Sequence, residues 1–498
     1  MAKRKRAEQE DARPLPPKSI KTASPIASSA ENVTIQIITG SYERTLHGFT
    51  ATFSHLSKDD PSSDSVRFAD TFLFLAHTSS IRCLALSPMP KPEHQQQDNV
   101  ILATGGTDDR INLYNISVLP MHADDSLLPV PTLAGNKILE NPRNRELGSL
   151  LHHSGSVTAL HFPTRSKLLS AAEDNTIAIT RTKDWSVVST IKAPRPKTQG
   201  RPSGDTSAVG DAPAGVNDFA VHPSMKLMLT VGKGEKSMRL WNLVTGRKAG
   251  VLNFGREVLT AAKEGKWGSG EGRKIIWDSS GEEFAVGFER GVVVFGIDSI
   301  PKCRIVPSPP TKIHHISYLT TGISDENRKE LLSISTEDGR ILFYSTALGV
   351  LETPENEKDG SIPVAPLLYQ LGGSAHGQGS RIKEFEILTV QRDSTTTLFV
   401  VVTCGSDGVI RLWALNPDEL KSKPKNPSKA KKLKGKASED GPPQVGKLLG
   451  SYETKNRITC MKAFVMQSSS RAESSESEGS ENSEEEEESG DSESESDE

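Results

Sequence analysis

Residues 102–115 read LATGGTDDRINLYN, and residues 402–413 read VTCGSDGVIRLW. Each runs apolar strand, tight Gly/Asp turn, apolar strand, with an acid in the turn and an aromatic residue six positions later. The same six-residue step, ending in an aromatic residue or, once, in a threonine, occurs seven times, at Glu43/Phe49, Asp108/Tyr114, Asp174/Thr180, Glu235/Trp241, Glu289/Phe295, Asp338/Tyr344 and Asp407/Trp413. A unit of two short strands about a turn, repeated along a chain, has the size of one propeller blade. The expected class is therefore all-β, a seven-bladed β-propeller, which is a binding platform far more often than an enzyme.

Strand signals lay out the blades, with strands lettered a to d from the axis outward. Blade two takes residues 81–87, 99–104, 110–115 and 144–151, and blade three takes 156–162, 167–172, 175–181 and 187–192. Blade four takes 216–221, 226–231, 237–242 and 247–253, and blade five takes 273–277, 282–287, 291–297 and 302–306. In blade five, 257–266 competes with 273–277 for strand a. Blade six takes 312–318, 330–335, 340–345 and 366–371, and blade seven takes 381–388, 397–403, 408–413 and 446–451. The chain ends carry complementary fragments. Residues 33–39 and 45–52 have a b–c signature with no a strand before them, and 458–465 have an a signature with nothing after. The two termini are expected to share blade one, which removes exposed sheet edges and locks the ring.

The turn acids Glu43, Asp108, Asp174, Glu235, Glu289, Asp338 and Asp407 have a structural task in this reading. In a tight b–c turn the backbone N–H groups lack sheet partners, and a carboxylate can accept them together with a histidine from the d–a loop. His77 and His153 stand about four residues before strand a, where such a donor would come from, and blade four has no equivalent. Seven equivalent positions cannot all be one active site, so these His/Asp combinations read as structural.

Hydrophobic content is 35% and aromatic content 5%, a deficit concentrated in polar tails and loops, so the folded part still holds a large core. No run of about 18 apolar residues is present, so no membrane span is expected. The N-terminus MAKRKRAEQE has no apolar stretch behind its basic residues and does not read as a secretory signal. Cys83, Cys303, Cys404 and Cys460 form no CxxC pair or Cys/His cluster, and read as small buried residues in a reducing compartment. The net charge of −4 divides unevenly. Residues 472–498 carry 14 acids and no Lys or Arg, which leaves +10 on everything before them. That asymmetry points to nucleic acid or a charged assembly.

Residues 1–31 are expected to be a disordered basic segment, 32–466 the propeller with insertions at 116–143, 193–215 and 417–444, and 467–498 a disordered acidic Ser/Glu tail. Lys3, Arg4, Lys5 and Arg6 are a nuclear import candidate. The third insertion concentrates Lys421, Lys423, Lys425, Lys429, Lys431, Lys432, Lys434 and Lys436. Lysines make sequence-independent, salt-sensitive phosphate contacts, and with no aromatic in the run base stacking is not expected. In the tail, Ser475, Ser483, Ser492 and Ser494 each have an acid three residues on, which suits an acid-directed kinase. No nucleophile constellation, zinc spacing or phosphate loop is present. Gly232-Lys233-Gly234 and Gly372-Gly373 are turn glycines that open no helix after a strand. No cofactor is expected.

Several segments resemble a known family. GSYERTLHGF (40–49), LAHTSSIRCLALSP (75–88), LLHHSGSVTALHF (150–162), LLSAAEDNTIAIT (168–180) and LTVGKGEKSMRLWNLVTGR (229–247) are together similar to the p21-activated-kinase-interacting WD-repeat family, whose fungal members are maintenance-of-killer ribosome-assembly factors. The resemblance runs in order from about residue 33 to 466. The only literal Trp-Asp pair, Trp277-Asp278, falls in an a strand and is not a repeat signature. The resemblance implies a WD-repeat propeller in the nucleus and nucleolus, needed to build the large ribosomal subunit. In animals it also implies a negative regulator of p21-activated kinase. The lysine-rich extension associated with animal members takes here the form of an internal loop and an acidic tail.

The leading expectation is a non-enzymatic scaffold in early pre-60S particles, a monomer within a large complex. It would hold ribosomal proteins or assembly factors, with the lysine loop on pre-rRNA. The alternative is a signalling adaptor whose propeller binds a kinase regulatory segment. A ubiquitin-ligase substrate receptor would want Trp-Asp-x-Arg at the end of strand c, which Trp241-Asn242-Leu243-Val244 and Trp413-Ala414-Leu415-Asn416 do not supply.

Overall fold

The computed structural model describes residues 32–53, 66–90, 98–120, 141, 143–195, 215–265, 268–321, 329–353, 362–391, 397–420 and 442–467. They form seven four-stranded antiparallel sheets set as the blades of a propeller. From the axis outward, blade one consists of Ile458–Val465, Val33–Ser41, Thr45–Phe53 and Arg67–Leu75. Blades two to seven have inner strands Ile81–Leu86, Val157–Thr164, Val216–Val221, Lys274–Trp277, Ile313–Thr321 and Ile382–Gln391, each followed by three strands in chain order.

The closure expected from the two chain ends is present. The last strand pairs antiparallel with the first, from Ile35 opposite Val465 to Ser41 opposite Ile458. Two elements differ from the sequence reading. Residues 257–261 of the segment that competes for blade five lie in a short helix, Arg256–Ala261, and Lys274–Trp277 is the inner strand. The sequence reading assigned no outer strand to blade one, and Arg67–Leu75 takes that place.

The core is divided among the interfaces between blades, because each twisted sheet buries its two faces against its neighbours. Seven apolar clusters among the described residues correspond to the seven interfaces. The closing interface joins Ile35, Ile37, Phe49, Ile458 and Met461 of blade one to Val400, Val402, Ile410 and Leu412 of blade seven. Burial extends into the segments expected as insertions. Ile116, Val118 and Leu119 pack between blades one and two, and the backbone oxygen of Leu420 accepts the Tyr369 hydroxyl at 2.9 Å.

Strand alternation defines two edges of the ring. The d–a connections and b–c turns lie on one edge, here the upper, and the a–b and c–d turns lie on the lower. In five b–c turns the residue after the acid is left-handed: Arg44, Asp109, Asn175, Gly339 and Gly408. At Gly408 a side chain would also collide, since an added Cβ would stand 2.6 Å from the Asn456 backbone oxygen.

A bulge at the second residue of the inner strand skips Thr459, Arg82, Thr158, Asn217 and Lys383, and falls at His314 and His315 in blade six. Bulges re-aim side chains, and here several reach the next blade. Thr459 Oγ1 donates to Ile81 O at 2.6 Å, Thr158 Oγ1 to Val216 O at 2.6 Å, and Asn217 Nδ2 to Gly272 O at 2.9 Å.

Candidate functional site

The seven turn acids sit on the upper edge, and their partners fall into three kinds. In blade two, Asp108 takes His77 Nδ1 at 2.9 Å and the Thr78 backbone N–H at 2.9 Å, while His77 Nε2 meets the Thr104 hydroxyl at 2.8 Å. In blade three, Asp174 takes His153 Nδ1 at 3.2 Å and the Ser154 N–H at 3.1 Å, and His153 Nε2 meets Ser170 Oγ at 2.8 Å. This network assigns the imidazole proton to Nδ1, facing the carboxylate, and leaves Nε2 to accept from the hydroxyl. Burial acts to raise the pKa of Asp108 and Asp174. The hydrogen bonds that each receives outweigh it and hold both below the ordinary carboxylate range.

In blades four, six and seven an arginine of strand c clamps the acid instead. Arg239 grips Glu235, Arg340 Nε donates to Asp338 at 2.8 Å, and Arg411 Nη2 donates to Asp407 at 3.2 Å. In blades one and five the acid ties the turn to a neighbouring loop. Glu43 accepts the Arg457 N–H at 3.0 Å, and Glu289 pairs with Lys312 at 2.8 Å and Arg273 at 3.4 Å.

These contacts staple each b–c turn to adjacent chain. The hydroxyls in the two histidine networks, Thr104 and Ser170, are fully buried, out of reach of any substrate, so the resemblance to a catalytic triad is one of composition alone. Sequence reasoning missed these hydroxyls, and with them Thr230 and Thr403, which accept the indole N–H of Trp241 at 2.9 Å and of Trp413 at 3.3 Å. A Ser or Thr four residues before the acid, at 39, 104, 170 and 403, is the available signal for all of these but Thr230, which stands five before Glu235.

The inner strands enclose a central channel with a cavity of about 540 Å³. Its lining mixes the short side chains of Cys83, Ala159 and Ala220 with the long or charged ones of Arg82, His161, Asp218, Lys274, His315, Glu384 and Lys462. The long side chains pair with one another. Lys462 Nζ reaches Glu384 at 3.0 Å and also Glu386, Glu384 accepts the Met461 N–H at 2.9 Å, and Lys274 lies 3.6 Å from Asp218. Burial opposes the charge on Lys462, and the two carboxylates outweigh it, so its pKa lies above the usual lysine value. Burial pushes His315 down to about 3 and His314 to about 4, which keeps both neutral at pH 7.

All four cysteines are free. Cys303, Cys404 and Cys460 are buried, and burial pushes the half-buried Cys83 thiol up to about 12, far from a reactive thiolate.

The import candidates Lys3, Arg4, Lys5 and Arg6, the eight lysines between 421 and 436, and Ser475, Ser483, Ser492 and Ser494 lie outside the described residues. The described residues that bracket them do have a place. Asn32, Leu420, Pro442 and Gln467 all stand at lower-edge ends of strands, where the Gln467 N–H donates to Val118 O at 2.9 Å.

Fold and upper-edge geometry together define the class: a seven-bladed WD-repeat propeller closed by its two termini. Residues 144–180, from the outer strand of blade two to the third strand of blade three, match the WD domain, G-beta repeat family. Over most of its length the chain is similar to protein MAK11 of Saccharomyces cerevisiae, at 29% identity across 77% of this chain and 78% of that protein. It is also similar to p21-activated protein kinase-interacting protein 1-like of Xenopus laevis, at 23% identity across 89% and 85%. Shk1 kinase-binding protein 15 of Schizosaccharomyces pombe is 23% identical across 63% and 69%. The chain thus resembles the p21-activated-kinase-interacting and maintenance-of-killer WD-repeat family, and the similarity supports a WD-repeat adaptor that binds proteins.

Proposed function

We propose that this chain is a non-catalytic scaffold in assembly of the large (60S) ribosomal subunit. It binds ribosomal proteins or assembly factors on its ring and pre-rRNA from its lower edge, and it works in the nucleolus. The observation that carries this reading is the placement of charge. The segments holding the basic N-terminus, the lysine run and the acidic tail all join a closed, rigid ring at one edge. The lysines of 421–436 would give salt-sensitive phosphate contacts, and the acidic residues of 472–498 suit the handling of basic proteins before they meet nucleic acid. The resemblance to the maintenance-of-killer group supports the same reading. Affinity purification of the tagged chain, followed by probing for large-subunit rRNA precursors, tests it. Enrichment of those precursors that falls with rising salt is expected, and their absence would refute it.

A second reading, an adaptor that negatively regulates a p21-activated kinase, is favoured by the names of the Xenopus and Schizosaccharomyces relatives. It predicts co-purification of a kinase that ribonuclease does not disturb.

A further inference from the structure

Six blades place a residue at the bulge position by the upper mouth of the channel, Thr459, Arg82, Thr158, Asn217, His314 and Lys383 in order round the ring, and in blade five, whose inner strand has no bulge, Arg273 immediately precedes that strand. Five of these are engaged by their surroundings. Thr459, Thr158 and Asn217 donate to backbone oxygens of the next blade, Arg82 holds Glu173 at 2.9 Å, and Arg273 pairs with Glu289. The remaining two, His314 and Lys383, stand side by side on blades six and seven. His314 Nε2 is buried with no hydrogen-bond partner, and Lys383 has no counter-ion among the described residues. Both line the channel cavity.

The charges around them reinforce the imbalance. Lys383 feels Arg381 and Arg457 most strongly, with Cys404 and Glu337 opposing them more weakly, and His314 feels Lys383, Arg381, Glu337 and Arg273. The carboxylates within reach are committed, Glu337 to Arg381 at 3.9 Å and Glu43 to the Arg457 N–H. Burial first, and then these cations, push the Lys383 pKa down, which is the mark of an ammonium without a counter-ion.

We propose that Lys383 and His314 form an anion subsite at the upper mouth of the channel, and that it takes the carboxylate of an acidic side chain presented by a peptide segment of a protein partner. Lys383 supplies charge-assisted N–H donors, and His314 Nε2 completes the hydrogen bonding of the guest. A nucleic-acid backbone fits less well. A polyanion needs a row of free cations, and the neighbouring Arg82, Arg273, Lys312, Arg340 and Arg381 are already paired with carboxylates, so the subsite offers the single uncommitted ammonium of Lys383, enough for the one charge of an acidic side chain. The subsite is on the edge opposite Leu420 and Pro442, and it stands whichever assembly the ring joins.

The test uses the full chain with isotope-labelled histidine, with the His314 resonance assigned through His314→Gln. The probes are the peptide acetyl-Lys-Glu-Lys-amide, its Lys-Gln-Lys analogue and an oligouridylate. The Glu peptide is expected to shift the His314 signal and raise its pKa, and the Gln peptide to leave both unchanged. Lys383→Met should weaken Glu-peptide binding at least tenfold without lowering the melting temperature, and Lys383→Arg should retain it. A Glu peptide that leaves His314 unmoved, equal binding of the Gln peptide, or unchanged affinity in Lys383→Met would overturn the proposal. So would an oligouridylate that shifts His314 in place of the peptide, because it would assign the subsite to nucleic acid.

Discussion

Ile38, in the first strand of the chain, lies directly opposite Lys462, in the last. The pairing closes the ring, and the Lys462 side chain crosses to Glu384 and Glu386 of blade seven, so the final strand is held on both sides. That strand buries Ile458, Met461 and Phe464 almost completely. Removing it would forfeit about 4.5–9 kcal/mol of apolar burial, at about 1.5–3 kcal/mol for each of the three side chains. A loss of that size is comparable with the whole net stability of an ordinary domain. Truncation after residue 455 is therefore expected to abolish the cooperative thermal transition, and truncation after 467 to leave it in place. Circular dichroism melts of the two truncations check this.

Lys462 neutralises two carboxylates that the ring places in the channel. Lys462→Met leaves Glu384 and Glu386 facing each other without a counter-ion. Because the three side chains remain 16–26% exposed, the expected cost is about 2 kcal/mol, below the range for a fully buried pair. Adding Glu386→Gln should recover part of it. Urea denaturation of the single and double variants measures the coupling, and strictly additive losses would contradict the network.

The turn acids should differ in weight according to their partners. Asp108→Ala strips His77 and Thr78 of their acceptor in a buried site and is expected to cost about 2–3 kcal/mol. Glu43 is exposed and accepts one backbone N–H, so Glu43→Ala should cost under about 1 kcal/mol. Equal losses in chemical denaturation would show that the histidine network does not stabilise blade two.

The channel histidines predict the acid side of the stability curve. His314 and His315 have folded-state pKa values pushed by burial to about 4 and about 3, below the ordinary 6.5. The unfolded chain therefore binds more protons than the folded chain below pH 6.5, and stability falls as the pH drops through that value toward 4. The carboxyls of Asp108 and Asp174 are depressed, so their contribution is intact above the usual carboxyl range and fails only at lower pH. Melting temperatures between pH 7 and 4.5 should decline, and the decline should be shallower in the His314→Gln, His315→Gln double variant. An identical slope would contradict the assignment.

Most of the ring was legible in the sequence because its blades repeat. The acid-to-aromatic step located the b–c turns, and the unmatched strand signatures at the two ends located the closure. Arg67–Leu75 escaped because its pattern leaves Arg67, Asp70, Leu73 and Leu75 exposed and buries only Phe72 fully, as befits an outer edge strand but not an alternating one. The segment at 257–266 was ambiguous because a short apolar run reads alike as strand or helix. The acids were visible as residues, but not the hydroxyls behind them, since Thr104 and Ser170 look like ordinary strand positions until the histidine closes over them. The upper-mouth pair was hidden for a similar reason. His314 and Lys383 are about 70 residues apart, and only the ring shows that the other five positions at their level are satisfied while these two are not.

A place in large-subunit assembly is checked by gradient sedimentation of the tagged chain from cell extract, with and without ribonuclease. Co-migration with large-subunit precursors, lost on digestion or at high salt, is expected. Migration as a free protein or a small complex, unchanged by ribonuclease, would contradict it and favour the kinase-adaptor reading.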